Sequence, residues 1–334
     1  MSLVVGIETS CDETGVAVLR NGEQVLSNVV SSQIDVHRVF GGVVPEIASR
    51  MHTEIISQLM EQALNEAGLS CKNGRPPVNA VAATFGPGLM GSLLVGLSFG
   101  RAVACAWKIP FVPVHHIEGH LFSAFLGENR PEFPYLALVV SGGHTQIVQC
   151  AAPHQYRILA TTRDDAVGEC FDKVARLLGL PYPGGPSIQK AAETGDDGAF
   201  DFPRGLVAKD TLDFSYSGLK TAVLYMLRER PDAAVPDVAA SFQRAAVDAL
   251  IQKTDRAVKQ SGIHRLVIAG GVAANKRLRE SAAQLDVELF LPPFAYCLDN
   301  GAMIAAAAHS RLQHGCPLPG DTPAAASISL VSKP

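Results

Sequence analysis

The chain opens on an apolar run, Leu3 to Thr9, then a short polar segment, Ser10 to Thr14, and a second apolar run, Gly15 to Leu19. With a third run from Val25 to Val30 this predicts a three-stranded meander. From Glu46 to Ala67 the apolar residues Ile47, Met51, Ile55, Leu59 and Ala63 recur near helical spacing, and Gly68 ends the segment. Val78 to Ala83 reads as a buried strand, Gly91 to Trp107 as a second helix, and Phe111 to Val114 as another strand. The order then starts again. Tyr135 to Val140 is a strand, Ser141-Gly142-Gly143-His144 a polar loop, Thr145 to Cys150 and Tyr156 to Thr161 are strands, and Val167 to Leu178 is a helix. The repeat predicts two related α/β lobes, although glycine-containing hairpins are common and the pattern alone also fits unrelated ones. Beyond it come a long helix, Val238 to Ser261, a strand, Arg265 to Ala269, leading into Gly270-Gly271, a helix from Ala273, and a last strand, Val287 to Leu291. The alanine-rich helix Asp299 to Leu312 reads as returning to the first lobe. The tail from Pro317 is rich in Pro, Ala and Ser and is expected to wrap loosely.

Length changes this picture little: 334 residues suit two domains, at roughly 100–200 residues each. Apolar residues make up 47% and charged ones 18%, which excludes a disordered chain or a coiled coil. A net charge of −4 makes any RNA contact local. Lys253, Arg256, Lys259, Arg265, Lys276, Arg277 and Arg279 form a candidate phosphate track, with solvated helix faces as the alternative. The seven cysteines form no C-x-x-C pair and are odd in number, as expected of reduced thiols in a cytoplasmic protein. The N-terminus lacks a basic segment ahead of a long apolar run. Pro76 to Gly100 carries no charged residue, but Pro76-Pro77 and Gly86-Pro87-Gly88 interrupt it, so no membrane association is expected.

Candidate chemistry lies in three groups. In His115-His116-Ile117-Glu118-Gly119-His120 a helix would place His116 and His120 one turn apart, as two ligands of one metal require; the same spacing also serves core or capping histidines. Glu118 would point about 200° away around that helix, and a zinc peptidase needs its base directly after the first histidine, where Ile117 stands. Gly86-Pro87-Gly88, Ser141-Gly142-Gly143-His144, Gly184-Gly185-Pro186 and Gly270-Gly271 match neither the P-loop nor the dinucleotide fingerprint, yet four such loops favour a phosphate-bearing ligand. Asp12 and Glu13 between two strands, Asp172 in the helix after Gly168 and Asp299 before the last helix are isolated acids, each of which also fits a helix cap or solvated turn.

Eight motifs stand in one family's order. They are Ile7-Glu8-Thr9-Ser10-Cys11-Asp12-Glu13-Thr14, Gly41-Gly42-Val43-Val44-Pro45-Glu46, His115 to His120, Ser141 to Thr145, Tyr182-Pro183-Gly184-Gly185-Pro186, Phe214-Ser215-Tyr216-Ser217-Gly218-Leu219-Lys220, Gly270 to Asn275, and Asp299-Asn300-Gly301-Ala302. The chain resembles the bacterial TsaD family over nearly its whole length. The resemblance implies two duplicated lobes of the actin-like, sugar-kinase and chaperone-ATPase fold group, with the ligand in the interlobe cleft. The lobes would comprise residues 1–114 with about 300–325, and 115–299.

The implied reaction moves a threonylcarbamoyl group from threonylcarbamoyl-adenylate to N6 of the adenosine just 3′ of the anticodon, in tRNAs reading codons that begin with A. AMP leaves. By resemblance His116, His120 and Asp299 bind one divalent metal, Fe2+ in the family's usual assignment, with Zn2+ or Mg2+ as alternatives. Val139, Val140, Ser141, Gly142, Gly143, Asp172, Gly185 and Asn275 match substrate- and nucleotide-binding positions, and Asp12 or Glu13 would orient or deprotonate the amine. Ser217 and Lys220 are candidates for nucleotide or tRNA contact, or for a helix surface. Implied partners are tRNA, a TsaB-type paralogue, a TsaE-type ATPase and a separate synthase that supplies the adenylate. The small-residue stripe Gly96, Gly100 and Ala104, with the helix Glu46 to Ala67, is expected to form the paralogue interface. A small-molecule kinase of the same fold, a metallopeptidase and a non-catalytic scaffold are the competing readings; the histidine pair, the displaced Glu118 and the complete metal set weigh against them in turn.

Overall fold

Five apolar stretches pair into the first sheet: Leu3–Glu8 (β1), Glu13–Arg20 (β2), Gln24–Ser32 (β3), Ala80–Gly86 (β4) and Phe111–His115 (β5). The order is β3-β2-β1-β4-β5, with β1 antiparallel to β2, β2 antiparallel to β3, and β1, β4 and β5 parallel. The computed structural model describes residues 2–69, 75–207 and 209–331; Cys71 lies outside them. β1 and β4 are buried along their whole lengths because helices cover both faces. A short helix, Ile34–Arg38 (α1), follows β3, and Pro45–Glu66 (α2) and Met90–Trp107 (α3) pack with one face. His116–Ser123 (α4) and a helix from the end of the chain, Gly301–Gln313 (α10), back the other.

A second sheet repeats the topology. Tyr135–Val140 (β6), Thr145–Ala152 (β7), Gln155–Thr161 (β8), Arg265–Ala269 (β9) and Glu288–Phe290 (β10) stand in the order β10-β9-β6-β7-β8. Its helices are Val167–Leu177 (α5), Gly184–Ala192 (α6), Ser217–Glu229 (α7), Val235–Ser261 (α8) and Lys276–Ala282 (α9). Read through matching strands, the two orders are the same, and so are the directions: an antiparallel meander on one side and parallel strands on the other. The expected duplication is present.

The two units are Met1–Arg130 with Pro292–Pro334, and Pro131–Leu291. The division expected after residue 114 thus falls after 130, because α4 packs against α10 and stays with the first sheet. Asp299 likewise belongs to the first unit. α10 lies directly on β1 and β2: a Cβ at Gly6 would stand 2.2 Å from Gly301 O, and one at Gly15 2.7 Å from Gly301 N. Asn300 Oδ1 accepts from Met303 N at 3.0 Å, so Asn300, not Asp299, caps this helix.

The stripe on α3 faces inward, contrary to its expected role as an interface. A Cβ at Gly96 would meet Thr9 Oγ1 at 2.3 Å, and one at Gly100 would meet Phe111 Cε2 at 2.9 Å and Ile7 Cδ1 at 3.3 Å. These glycines let the helix seat on the sheet. The outer face instead presents Met90 and Leu94. Among the described residues α3 is the one helix long and apolar enough to cross a membrane, yet Leu93, Leu97 and Ala104 are buried within its own unit.

Among the described residues the tail from Pro317 has no regular structure but is fastened. Arg101 donates from Nε to Gly320 O at 2.9 Å and from Nη2 to Thr322 O, and Ala325 N donates to Phe85 O at 2.9 Å.

Candidate functional site

α4 starts where β5 ends, and His115 Nδ1 accepts from Ile117 N at 3.2 Å to cap its first turn. The helix puts His116 and His120 on one face, as their spacing predicts, with ring centroids 4.7 Å apart. Asp299, just ahead of α10, closes the group. Its Oδ1 lies 3.7 Å from His116 Nε2 and 3.2 Å from His120 Nε2, and one donor atom from each residue falls within 4.8 Å of the others. Ligand bonds of about 2.1 Å place tetrahedral donors about 3.4 Å apart, so small adjustments bring the three onto one ion.

His120 carries the test of that fit. Both its ring nitrogens are buried without a hydrogen-bond partner; the approach of Nε2 to Asp299 is close but not aligned as a hydrogen bond. An unsatisfied buried imidazole costs stability, and a cation at Nε2 would satisfy one of the two nitrogens. The donor set of two imidazoles and a carboxylate therefore fits a divalent metal.

Glu8 completes the arrangement, and the sequence reading missed it. It is fully buried at the end of β1, takes Thr84 Oγ1–H at 2.6 Å and Ser10 N–H at 2.5 Å, and faces His116 Nδ1 at 3.2 Å. A carboxylate on Nδ1 fixes the tautomer that leaves Nε2 to a metal. The available signal was an acid closing an otherwise apolar run. Burial alone would lower the His116 value, but Asp299 and Glu8 carry it up to about 9. Without a metal, His116 holds a proton at neutral pH.

Asp12 ends the β1–β2 turn and is buried, and Glu13 opens β2 and is half-buried. Burial, then the charges of Asp12 and Asp299, push Glu13 up to about 9 although Ser32 Oγ donates to it at 3.2 Å. The turn and the metal group thus share one electrostatic environment, in which Glu13 is protonated at neutral pH. Glu118 points the other way: it is buried and paired with Arg311 at 2.8 Å. It cannot serve as a peptidase base.

In the second unit Val139 and Val140 are buried at the end of β6, while Gly142 and Gly143 are exposed with open space where a Cβ would stand. Ser141 Oγ accepts from His144 N at 3.1 Å and shapes the turn. α5 starts against it, since Gly168 N donates to Ser141 O at 3.2 Å and a Cβ there would lie 2.6 Å from that oxygen. Gly184-Gly185-Pro186, read as a loop, is the first turn of α6. Gly184 is the packed member, its Cβ position 2.5 Å from Asp172 Cα, and its N–H donates to Asp172 Oδ1 at 2.7 Å. Gly185 faces open space. Asn275 is committed to structure: Oδ1 caps α9 through Leu278 N at 3.0 Å and Nδ2 donates to Gln243 Oε1 at 2.9 Å.

Other candidates have structural work. Ser217 Oγ donates to Asp164 at 2.7 Å and Lys220 pairs with Asp165 at 2.7 Å. Lys253 is buried, donating to Leu206 O at 2.6 Å and to Thr211 O, so it leaves the phosphate track. Arg256 holds Lys209 O at 2.8 Å, and Arg277 pairs with Asp197 at 2.7 Å.

Comparison with known proteins joins these features. Two solved structures share the fold at low sequence identity: full-length HypF in its phosphate- and nucleotide-bound form (TM-score 0.63, 12% identity, 94% of this chain and 46% of that one), and the (R)-2-hydroxyglutaryl-CoA dehydratase component A of Acidaminococcus fermentans (TM-score 0.56, 13% identity, 94% and 100%). The fold is that of the actin-like ATPases and sugar kinases. Relatives named tRNA N6-adenosine threonylcarbamoyltransferase are much nearer in sequence. One from Kosmotoga olearia is 49% identical over 98% of this chain and 99% of its own. Another from Trichlorobacter lovleyi is 52% identical over 94% and 93%. The model of the same family, described as TsaD, matches residues 24–306, a span holding the histidine pair, the glycine turns and Asp299, and on these grounds the chain belongs to the TsaD family of tRNA N6-adenosine threonylcarbamoyltransferases.

Proposed function

We propose that the chain transfers the threonylcarbamoyl group of threonylcarbamoyl-adenylate to N6 of the adenosine 3′ of the anticodon, with a divalent metal on His116, His120 and Asp299. The observation that carries the metal reading is His120, a buried imidazole with no hydrogen bond beside a second imidazole and a carboxylate. A bound cation would supply Lewis-acid polarisation of the carbonyl and charge compensation for the phosphate; two imidazoles and one carboxylate suit Fe2+.

The chain's own groups do the rest. The adenine amine is a weak nucleophile, but the mixed anhydride is already activated, so orientation matters most. The amine nitrogen bonds to the carbonyl carbon, the bond to the phosphate oxygen breaks, and AMP carries away the electron pair. Asp12 takes the N6 proton, and protonated Glu13 donates a hydrogen bond rather than accepting one. The open glycines 142, 143 and 185 admit the nucleotide to backbone N–H groups, and Asp172 accepts from ribose hydroxyls. Val139 and Val140, buried at the end of β6, lead into the open turn, and Asn275 shapes the site by capping α9.

The reaction is cytoplasmic and requires tRNA, the separately made adenylate, a TsaB-type paralogue and a TsaE-type ATPase. The paralogue docks on the outer faces of α2 and α3, where Met90 and Leu94 are exposed, since the glycine stripe faces inward. Incubation with threonylcarbamoyl-adenylate, unmodified tRNA and the partners, followed by nucleoside mass spectrometry, tests the reading. Modified adenosine only when this chain is present is the expected result. None in the complete mixture would overturn it.

A further inference from the structure

His52 stands on α2, fully buried, outside the metal group. Its Nε2 lies 2.9 Å from Cys11 O. A carbonyl only accepts, so Nε2 carries the proton and, in the neutral ring, Nδ1 accepts. Thr14 Oγ1 donates to that Nδ1 at 2.7 Å, and Gln33 Nε2 faces it at 3.4 Å. Val44 N donates to His37 Nδ1 at 3.3 Å, so His37 Nε2–H donates to Gln33 Oε1 at 3.1 Å. The amide then has one orientation, with Nε2 also donating to Ala48 O at 3.3 Å.

Polarity is therefore fixed from the backbone of Val44, in the Gly41–Glu46 motif that the transfer chemistry leaves unused, to the carbonyl of Cys11. Thr14, Gln33, His37 and His52 are all buried. Gln33 adds a second hold, because its N–H donates to Asp12 O at 3.1 Å. Two successive carbonyls of the acidic turn are thus gripped by one network, and burial keeps His52 in the neutral form the network needs.

We propose that His52, with Thr14 and Gln33, is a positioning residue that fixes the backbone of Cys11-Asp12 so that the Asp12 carboxylate meets the amine. This rests on the reading of Asp12 as the group that takes the N6 proton. A buried network satisfied at every member specifies one geometry, and removing one donor releases it.

Thr14→Val keeps the shape and removes the proton donor to Nδ1; Thr14→Ser restores it. In the complete tRNA-modifying mixture Thr14→Val is expected to lower kcat about tenfold with KM for the adenylate and bound metal unchanged, and Thr14→Ser to recover most of it. Full kcat in Thr14→Val, or equal losses in Val and Ser variants of the same metal content, would overturn the proposal. Should Thr14→Val not fold, His52→Gln, which keeps an N–H for Cys11 O, is compared with His52→Leu; equal rates overturn it. Asp12→Asn separates the two readings. If it is fully active, the role of Asp12 fails; if it is inactive while Thr14→Val is not, only the positioning role fails.

Discussion

His120 is buried without a hydrogen bond, so its imidazole gains more from a cation than it would at the surface. His120→Ala, His116→Ala and Asp299→Ala are each expected to cut metal affinity at least tenfold, because losing a ligand costs no less than losing an outer-shell partner, which typically costs about 10–100-fold; metal analysis after dialysis checks this, and equal content in all four proteins would refute the assignment. His116 gives a pH signature. Its folded value, about 9, exceeds that of an ordinary histidine, so the metal-free protein gains stability from this group below about pH 6.5. That gain is lost as pH rises through 9. Metal on Nε2 must displace the proton, so calorimetry at pH 7.5 in buffers of different ionisation heat should show release of about one proton. At this scale the histidines were legible because four-residue spacing is a helix property. Glu8 and His52 were not. Each is a polar residue at a core position, and its partners, Thr84 and His116 for one and Cys11 and Thr14 for the other, come from distant parts of the chain.

Elements show how neighbouring glycines diverge. Gly184 packs backbone against backbone while Gly185 faces open space. Gly184→Ala should therefore destabilise the protein by about 1–3 kcal/mol, read as a drop in Tm with AMP binding measured below the transition. Gly185→Val should leave Tm in place and weaken AMP binding; unchanged affinity by calorimetry removes it from the site. Gly100→Leu drives a side chain into Phe111 and Ile7, and a loss of about 3 kcal/mol or more is expected in denaturant unfolding. Helix α2 was predicted within one residue of both ends, yet its buried face is Ala48, His52, Ile56, Leu59, Met60, Ala63 and Leu64. Ile47, Met51 and Ile55 lie at its margin. A polar His52 at the centre of the face hid the true stripe. Ser141–His144 was read correctly as a turn. Gly184 to Pro186 was not, because Pro186 and two glycines signal a loop until the packing on Asp172 is known.

For the whole molecule, the doubled strand order was legible in the repeated hairpin, while the boundary was not: α4 joins the first unit through α10, a contact made far along the chain. That connectivity bears on the order of events at the ribosome. The second unit is one unbroken stretch, Pro131–Leu291, but the first waits for residues 292 onward. Domains usually mature in the order they emerge; here the later-made unit can finish first, while β1 and β2 lack the helix that lies on Gly6 and Gly15. Chains truncated after residue 295 and released from the ribosome should show protease protection of 131–291 and cleavage within 1–130, and protection of both would refute this order. Because His116 and His120 precede the second unit and Asp299 follows it, the third candidate ligand is delivered only near the close of synthesis. A half-made chain offers a metal the two histidines without Asp299, so the moment of translation termination would also time the capture of an ion.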